Sequence, residues 1–467
     1  MTPSPPAHDV AAVILAAGQG TRFRSDTAKV LHRAAGRSLV AHVLEAIRPF
    51  GLGQVIVVVG HQADAVTADV QAVSMDVTTV VQAQQRGTGH AVQQALPALK
   101  DSIRRVMVLP GDTPLLTAEA LTGLFAATEE QPVAMLTMHL PDPTGYGRVL
   151  RDADGGVARI VEHKDATADE RAITEANAGM YLVTRDLLGA ALERLDDDNA
   201  QGELYLTDIV ALLRQADHRV MPVLAAPEVV AGVNDRAQLA DAASVLRRRH
   251  LEHLMRDVGV SVVDPATTYV DVDVEVGRDA VLLPGTMLES GTRIGERTVV
   301  GPNAHLTACT IGADATVHST RGDQAEVGDG AKVGPFAHLR PGTRLGVGTK
   351  VGAYVETKNL DLAAGSKVPH LAYLGDATVG EGVNIACGVI TVNYDGADKH
   401  RTTIEDGAFV GCDTMLVAPV TIGAGAYVAA GSTITHDVPA DALAIARARQ
   451  TNKEGWARAR RQQGAGH

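Results

Sequence analysis

A chain of 467 residues is long enough for about two to four domains with sizeable cores, which excludes a single small module. Its 42 Lys and Arg against 55 Asp and Glu leave a net charge of −13, so the broad cationic surface that non-specific nucleic-acid binding needs is missing. Three cysteines, Cys309, Cys387 and Cys412, form no C-x-x-C pair, which argues against a disulfide framework or a cysteine-rich zinc site and fits a reducing cytoplasm.

The N-terminal M-T-P-S-P-P-A-H-D has no basic region, and the apolar run from Val10 to Ala17 is far short of the ~20 residues that span a bilayer. Neither secretion nor a membrane span is expected. Runs at Val10–Leu15, Val55–Val59, Thr78–Gln82 and Val106–Leu109 read as strands separated by Ala-rich amphipathic stretches, the pattern of an α/β domain around a largely parallel sheet. A helix follows over Asp235–Asp257, with Leu239, Ala243, Leu246, His250, Leu251 and Leu254 near one face, and reads as a linker.

Beyond it the period changes. Val270, Val276, Leu282, Leu288, Ile294, Val300 and Leu306 are spaced six apart, a period that neither helices nor hairpins produce. The phase resumes at Val327, Val333, Leu339, Leu345 and Val351, and again at Ile404, Val410, Leu416, Ile422, Val428 and Ile434. Such hexapeptides build a parallel β-helix whose short strands each send one aliphatic side chain into a narrow prism. Bulky rings do not fit there, which accounts for 47 glycines beside only one Trp, eight Tyr and five Phe. The phase breaks at Glu356–Tyr373 and Val392–Thr403, and these segments are expected to project as loops and carry chemistry. The basic stretch Ala442–His467 reads equally as a solvated tail.

Two sets of residues carry chemistry. In L-A-A-G-Q-G-T-R, Leu15–Arg22, the glycines allow backbone N–H groups to approach phosphate oxygens, and Arg22 and Lys29 add positive charge. The loop lacks the third glycine of a dinucleotide fingerprint, where Phe23 stands, and lacks the Gly-Lys-Ser/Thr of a P-loop. R-G-T-G-H-A, Arg86–Ala91, and L-P-G-D-T-P, Leu109–Pro114, follow other strands, so Asp112 reaches the same sheet edge, where a hard cation such as Mg2+ needs oxygen ligands. In the repeat region the first interruption holds Lys358, His370 and Tyr373 and the second holds Asn393, Tyr394 and Lys399. A histidine there suits removal of a proton from an amine attacking a thioester.

These motifs, with D-P-T-G-Y-G-R (Asp142–Arg148), V-E-H-K-D-A (Val161–Ala166), G-V-N-D-R (Gly232–Arg236) and K-E-G-W (Lys453–Trp456), closely resemble the bifunctional N-acetylglucosamine-1-phosphate uridylyltransferase/glucosamine-1-phosphate N-acetyltransferases along nearly the whole chain. The resemblance implies an α/β, Rossmann-like nucleotidyltransferase domain followed by a left-handed parallel β-helix of hexapeptide repeats. The expected segments are 1–234 for the nucleotidyltransferase, 235–259 for the linker helix, 260–440 for the acetyltransferase and 441–467 for the tail. It also implies a cytoplasmic homotrimer acting on glucosamine-1-phosphate, N-acetylglucosamine-1-phosphate, UTP and acetyl-CoA with Mg2+, with no nucleic-acid or membrane partner.

Residue by residue, the resemblance assigns Leu15, Ala16, Ala17, Gly18, Arg22, Lys29, Gln82, Gly87, Thr88, Pro110 and Gly111 to the nucleotide, with Gln82 at the uracil edge. Asp112 and Asn234 become metal ligands, and Gly147, Glu162 and Asn177 hold the amino-sugar. Arg340, Lys358, Tyr373 and Asn384 would bind glucosamine phosphate, with His370 as the catalytic base. Asn393 and Tyr394 would contact acceptor or acetyl-CoA, while Cys387, Cys412, Ala430 and Arg447 would line the acetyl-CoA site. The chain departs from the family at Phe23 (usually Met), Cys387 (Ala), Cys412 (Ser) and Pro369 (Gly), and Pro369 restricts the backbone that presents His370. The competing reading is a single-activity sugar-1-phosphate nucleotidyltransferase with a β-helix used for oligomerisation; a non-enzymatic scaffold is opposed by the Asp112 and Asn234 pair.

Overall fold

The computed structural model describes residues 7–464. The chain forms two compact units that divide between Arg247 and Arg248. The division falls within the helix Arg236–His253, which continues as a π-turn to Val258.

The first unit is built on a nine-stranded sheet. The strands Val10–Ala16, Gln54–Val59, Thr78–Val81 and Arg105–Pro110 are mutually parallel, with Val10–Ala16 between Gln54–Val59 and Arg105–Pro110. Their side chains alternate between two cores. Val10, Ala12, Ile14 and Ala16 enter one, with Val57 and Leu109, whereas Ala11 and Val13 enter the other, with Ile56 and Val108. Burial on both faces explains why Val10–Ala16, Gln54–Val59 and Arg105–Pro110 read as continuous apolar runs, whereas Thr78–Val81 is the more exposed edge strand.

The sheet is more mixed than its first strands suggest. Glu175–Thr184 runs antiparallel to both Arg105–Pro110 and Val133–His139, and an antiparallel hairpin, Arg148–Arg151 with Val157–Val161, branches from it. That strand carries a register shift between Asn177 and Tyr181. The parallel strands end at one edge, and the glycine loops and Asp112 follow from that edge.

The second unit is a solenoid built mostly of short parallel strands, most of which pair with the third strand after them, for example Glu275–Val276 with Arg293–Ile294. Three strands therefore complete one coil. The turns fall into three files of left-handed backbone, one of which runs through Asn303, Ser319, Phe336, Tyr354 and Leu371. All the residues of the six-residue period, from Val270 to Ile434, are buried in one continuous core. Truncating one of its leucines to Ala would cost about 2–5 kcal/mol, because the neighbouring coils close only partly over the gap. Buried hydroxyls join successive coils: Ser366 Oγ donates to Gly380 O at 2.6 Å and accepts from Val383 N at 2.9 Å.

The first break in the period is not a loop, contrary to expectation. Glu356–Tyr373 lies mostly within two long paired strands, Lys350–Leu362 and Lys367–Val379. The phase slips because coils differ in length. Glu326 pairs with Arg344 eighteen residues on, but Arg344 pairs with Asp361 and Lys350 with Lys367, each seventeen on, so the coil that runs through this segment is one residue short. The second break is a true insertion, since Asn384 pairs with Phe409 across a coil lengthened by the segment around Tyr394–Lys399.

Candidate active sites

In the first unit a cleft of about 770 Å³ opens where the parallel strands end, lined by Leu15–Arg22, Lys29, Gln82, Gly87, Thr88, Pro110, Asp112, Glu162 and Asn177. Gly20 sits at φ 61°, and a Cβ there would lie 2.5 Å from Lys29 Cβ, so this turn requires glycine and lets the chain pass close over Lys29. Gly87, at φ 105°, is fixed likewise, since a Cβ would lie 2.6 Å from Leu204 O. The helix Thr88–Ala95 starts directly after it, and Thr88 Oγ1 accepts from Leu206 N at 3.0 Å. Gln82 is buried and donates to Gly87 O at 3.0 Å.

Lys29 forms an ion pair with Asp112 and donates to Asn234 Oδ1 at 3.0 Å; Arg22 donates to the same oxygen at 2.8 Å. Val233 N donates to Asp112 O at 2.8 Å, so the segment carrying Asn234 is tied to the strand end carrying Asp112. A carboxylate and an amide oxygen thus converge on one cation. Among the described residues no group of three or more His, Cys, Asp or Glu could hold a metal. Two hard oxygen ligands fit Mg2+, which keeps several waters and takes substrate phosphates for the rest, and do not fit a closed zinc site. Burial, aided by the Asp112 charge, pushes the Tyr146 hydroxyl up.

Deeper in the cleft, Asn177 N donates to Gly147 O at 2.9 Å, Asn177 Oδ1 accepts from Gly179 N at 2.9 Å, and Thr207 Oγ1 donates to Glu162 Oε1 at 3.1 Å. Burial pushes Glu162 up, with Asp208, Asp165 and Glu203 adding to the shift. Such a carboxyl suits hydrogen bonding to neutral hydroxyls. Gln85, Glu203 and Thr207 also line the cleft and were not singled out from sequence. Gln85, three residues after Gln82, offered a signal; E-L-Y-L-T offers no glycine or metal pattern. Phe23 is buried and stacked on His32 at 4.5 Å, away from the chemistry.

The second unit holds a different collection. Pairing of the two long strands sets Ala353 beside His370, Glu356 beside Tyr373 and Lys358 beside Gly375. His370 is exposed. Arg340 donates to Glu356 Oε1 at 2.8 Å. The Lys399 ammonium beside Lys358 holds the Lys358 amine below the usual lysine range, with Arg340 adding to the effect. Tyr373 Oη and Asn393 Nδ2 converge over Gly375, where a Cβ would collide with both. The inserted loop is braced by its own bonds: His400 N donates to Asn393 O at 2.9 Å and Tyr394 Oη donates to Gly396 O at 2.7 Å.

Backbone bonds at one corner stack the remaining residues. Gly388 N donates to Leu371 O at 2.7 Å, Asp413 N to Cys387 O at 2.8 Å and Gly431 N to Cys412 O at 2.8 Å. His370, Cys387, Cys412 and Ala430 therefore lie in one file along the prism, and Arg447 Cδ lies beside Gly431. Cys412 is exposed, Cys387 half-buried and Cys309 buried, and all three are free thiols. Asn384 lies on the neighbouring strand, paired with Lys367.

Residues 12–153 match the MobA-like NTP transferase domain family, and residues 401–436 match the bacterial transferase hexapeptide family. The bifunctional protein GlmU of Brevibacillus brevis is 48% identical over 449 residues, which is 96% of each chain. Those of Streptomyces avermitilis and Thermobifida fusca are each 51% identical, covering 96% and 97% of this chain and 93% and 94% of theirs. The chain belongs to the bifunctional GlmU family. It is a transferase with two catalytic units, and the GlmU relatives extend over both of them. The hexapeptide match covers only the last regular stretch, after the coils whose uneven lengths break the six-residue phase. Among the described residues no helix is long and apolar enough to cross a membrane.

Proposed function

We propose that the enzyme acetylates glucosamine-1-phosphate with acetyl-CoA in the β-helix and joins the resulting N-acetylglucosamine-1-phosphate to UTP in the α/β unit, giving UDP-N-acetylglucosamine and pyrophosphate. One observation carries this reading: a cleft with a paired oxygen-ligand site lies in one unit, and an exposed histidine among cationic and amide side chains lies in the other.

In uridylyl transfer, a phosphate oxygen of the sugar attacks the α-phosphorus of UTP and pyrophosphate leaves. Gln82 and the Leu15–Gly18 loop bind the nucleotide, while Gly147, Glu162 and Asn177 orient the sugar. Asp112 and Asn234 would hold Mg2+, which when bound supplies positive charge to offset that of the phosphates. Lys29 and Arg22 contribute charge of the same sign. Such chemistry depends on alignment and charge neutralisation rather than a protein nucleophile.

In acetyl transfer, the acceptor amine attacks the thioester carbonyl. A new C–N bond forms, the C–S bond breaks, and coenzyme A leaves as its thiolate, which takes up a proton. His370 removes the proton from the attacking amine. Arg340, Lys358, Tyr373 and Asn384 hold the sugar phosphate, and the file Cys387–Cys412–Ala430, with Arg447, lines the path of acetyl-CoA. The exposure of His370 on one chain fits a homotrimer in which a neighbouring prism completes each acetyl site, and three free thiols fit a cytoplasmic enzyme.

The test is a coupled assay with glucosamine-1-phosphate, acetyl-CoA, UTP and Mg2+. Formation of UDP-N-acetylglucosamine is expected. Uridylyl transfer without any acetylation would leave only the single-activity reading.

A further inference from the structure

Asp376 stands at a corner of the solenoid between two asparagines of the adjacent coils. Asn359 Nδ2 donates to its Oδ1 at 2.6 Å and Asn393 Nδ2 donates to its Oδ2 at 2.5 Å. The three residues are spaced by one coil each, so a single carboxylate clamps three layers of the prism. It also faces the ammonium groups of Lys358 and Lys399, which lie against each other.

The chemistry of the pair fixes its direction. An ionised carboxylate has no proton to donate, so Asn393 can meet it only through its amide nitrogen. Asn393 is largely buried, and among the described residues no donor reaches its Oδ1. One end of the amide is committed and the other is left as an acceptor. A neutral partner at position 376 would lose this sorting, because two primary amides pair in either sense. The same carboxylate offsets the repulsion between two ammonium groups held together on one surface.

We propose that Asp376 is the positioning residue of the acetyl-transfer site, orienting Asn393 so that its carbonyl oxygen is presented to the acceptor amine and keeping Lys358 and Lys399 together for the acceptor phosphate. This rests on the assignment of acetyl transfer to the β-helix. In this role Asp376 acts through Asn393 and the two lysines, the groups it faces.

The test is steady-state acetyl transfer by the full-length enzyme, with glucosamine-1-phosphate varied at saturating acetyl-CoA. Asp376→Asn is expected to raise the acceptor KM by about tenfold or more, the scale of losing a charge-assisted hydrogen bond, with a smaller change in kcat. The reciprocal variant Asp376→Asn/Asn393→Asp exchanges the two groups, so that an amide at position 376 donates to a carboxylate at position 393. An oxygen is again presented and the charge is retained, so the acceptor KM should return to within about threefold of wild type. Uridylyl transfer by both variants serves as the control for folding. A wild-type acceptor KM in Asp376→Asn would overturn the proposal. So would equal impairment of the single and double variants, because a merely structural corner would not recover on exchange. A wild-type enzyme without acetyl transfer would instead overturn the assignment on which the proposal rests.

Discussion

Lys29 Nζ lies 3.0 Å from Asn234 Oδ1, and the same ammonium is paired with Asp112. Two oxygen ligands distant in sequence thus meet at one positive centre. Asp112→Ala should lower uridylyl transfer by about 100-fold or more, the scale of losing a group that stabilises charge in a phosphoryl-transfer site, while acetyl transfer persists. Both half-reactions are to be measured on the purified variant. Equal loss of both, with the fold preserved, would show that the two sites are not separate.

His370→Ala should have the opposite effect, reducing acetyl transfer by about 100-fold or more, as expected for loss of a positioned base. Uridylyl transfer should stay at the wild-type rate. An unchanged acetylation rate would remove His370 from the mechanism.

The three thiols should react in order of exposure: Cys412 first, Cys387 more slowly, and Cys309 only when the protein unfolds, since burial also pushes the Cys309 thiol up. Maleimide treatment followed by mapping gives that order. With Cys387 and Cys412 in the file that contains His370, their alkylation should depress acetyl transfer but not uridylyl transfer, and acetyl-CoA should protect. Labelling of either without loss of acetylation would displace them from the path of acetyl-CoA.

Light scattering of the purified enzyme should give three times the mass of one chain. A stable monomer with full acetyl-transfer activity would rule out a site completed by a neighbouring prism.

Burial, with Asp196 and Asp165 nearby, pushes Asp208 up to about 6, against ~3.9 in an unfolded chain. Between those values the folded state binds more protons than the unfolded state, so this group removes stability as pH rises from about 4 to 6. Asp208→Asn should therefore be more stable than wild type at pH 7.5, by about 1 kcal/mol once solvent screening of a half-exposed group is allowed for. The advantage should shrink towards zero by about pH 4. Thermal unfolding of both proteins across that range measures it, and an offset independent of pH would exclude ionisation of Asp208 as the cause.

Much of this was legible in the sequence because it depends on local period. Burial on both faces makes Val10–Ala16 a continuous apolar run, and one inward residue per short strand gives the six-residue spacing from Val270 onward. What escaped depends on partners far along the chain. Glu175–Thr184 is also largely buried and apolar, and nothing in its own residues says that it runs against its neighbours. The polar stretch Glu356–Tyr373 looks like a loop because its phase is wrong, yet the phase slips only because the coil that contains it is seventeen residues long instead of eighteen. The motifs identified Asp112, Asn234 and Lys29 one at a time. Their convergence, and that of Asn359, Asp376 and Asn393, exists only after folding.

Because most strands of the solenoid pair with the strand one coil onward, a coil is bonded mainly to the coils directly above and below it. Stability then behaves as a sum of nearest-neighbour terms along a line, and opening is cheapest at the ends, where a coil has one neighbour to lose instead of two. The residues from Arg340 to Lys399 occupy interior coils, with stacked layers on both sides. Fraying at either terminus can therefore proceed some distance before it reaches the histidine, but the C-terminal coils carry Cys412, Ala430 and Arg447, so unwinding from that end would strip the acetyl-CoA path first and leave the base in place.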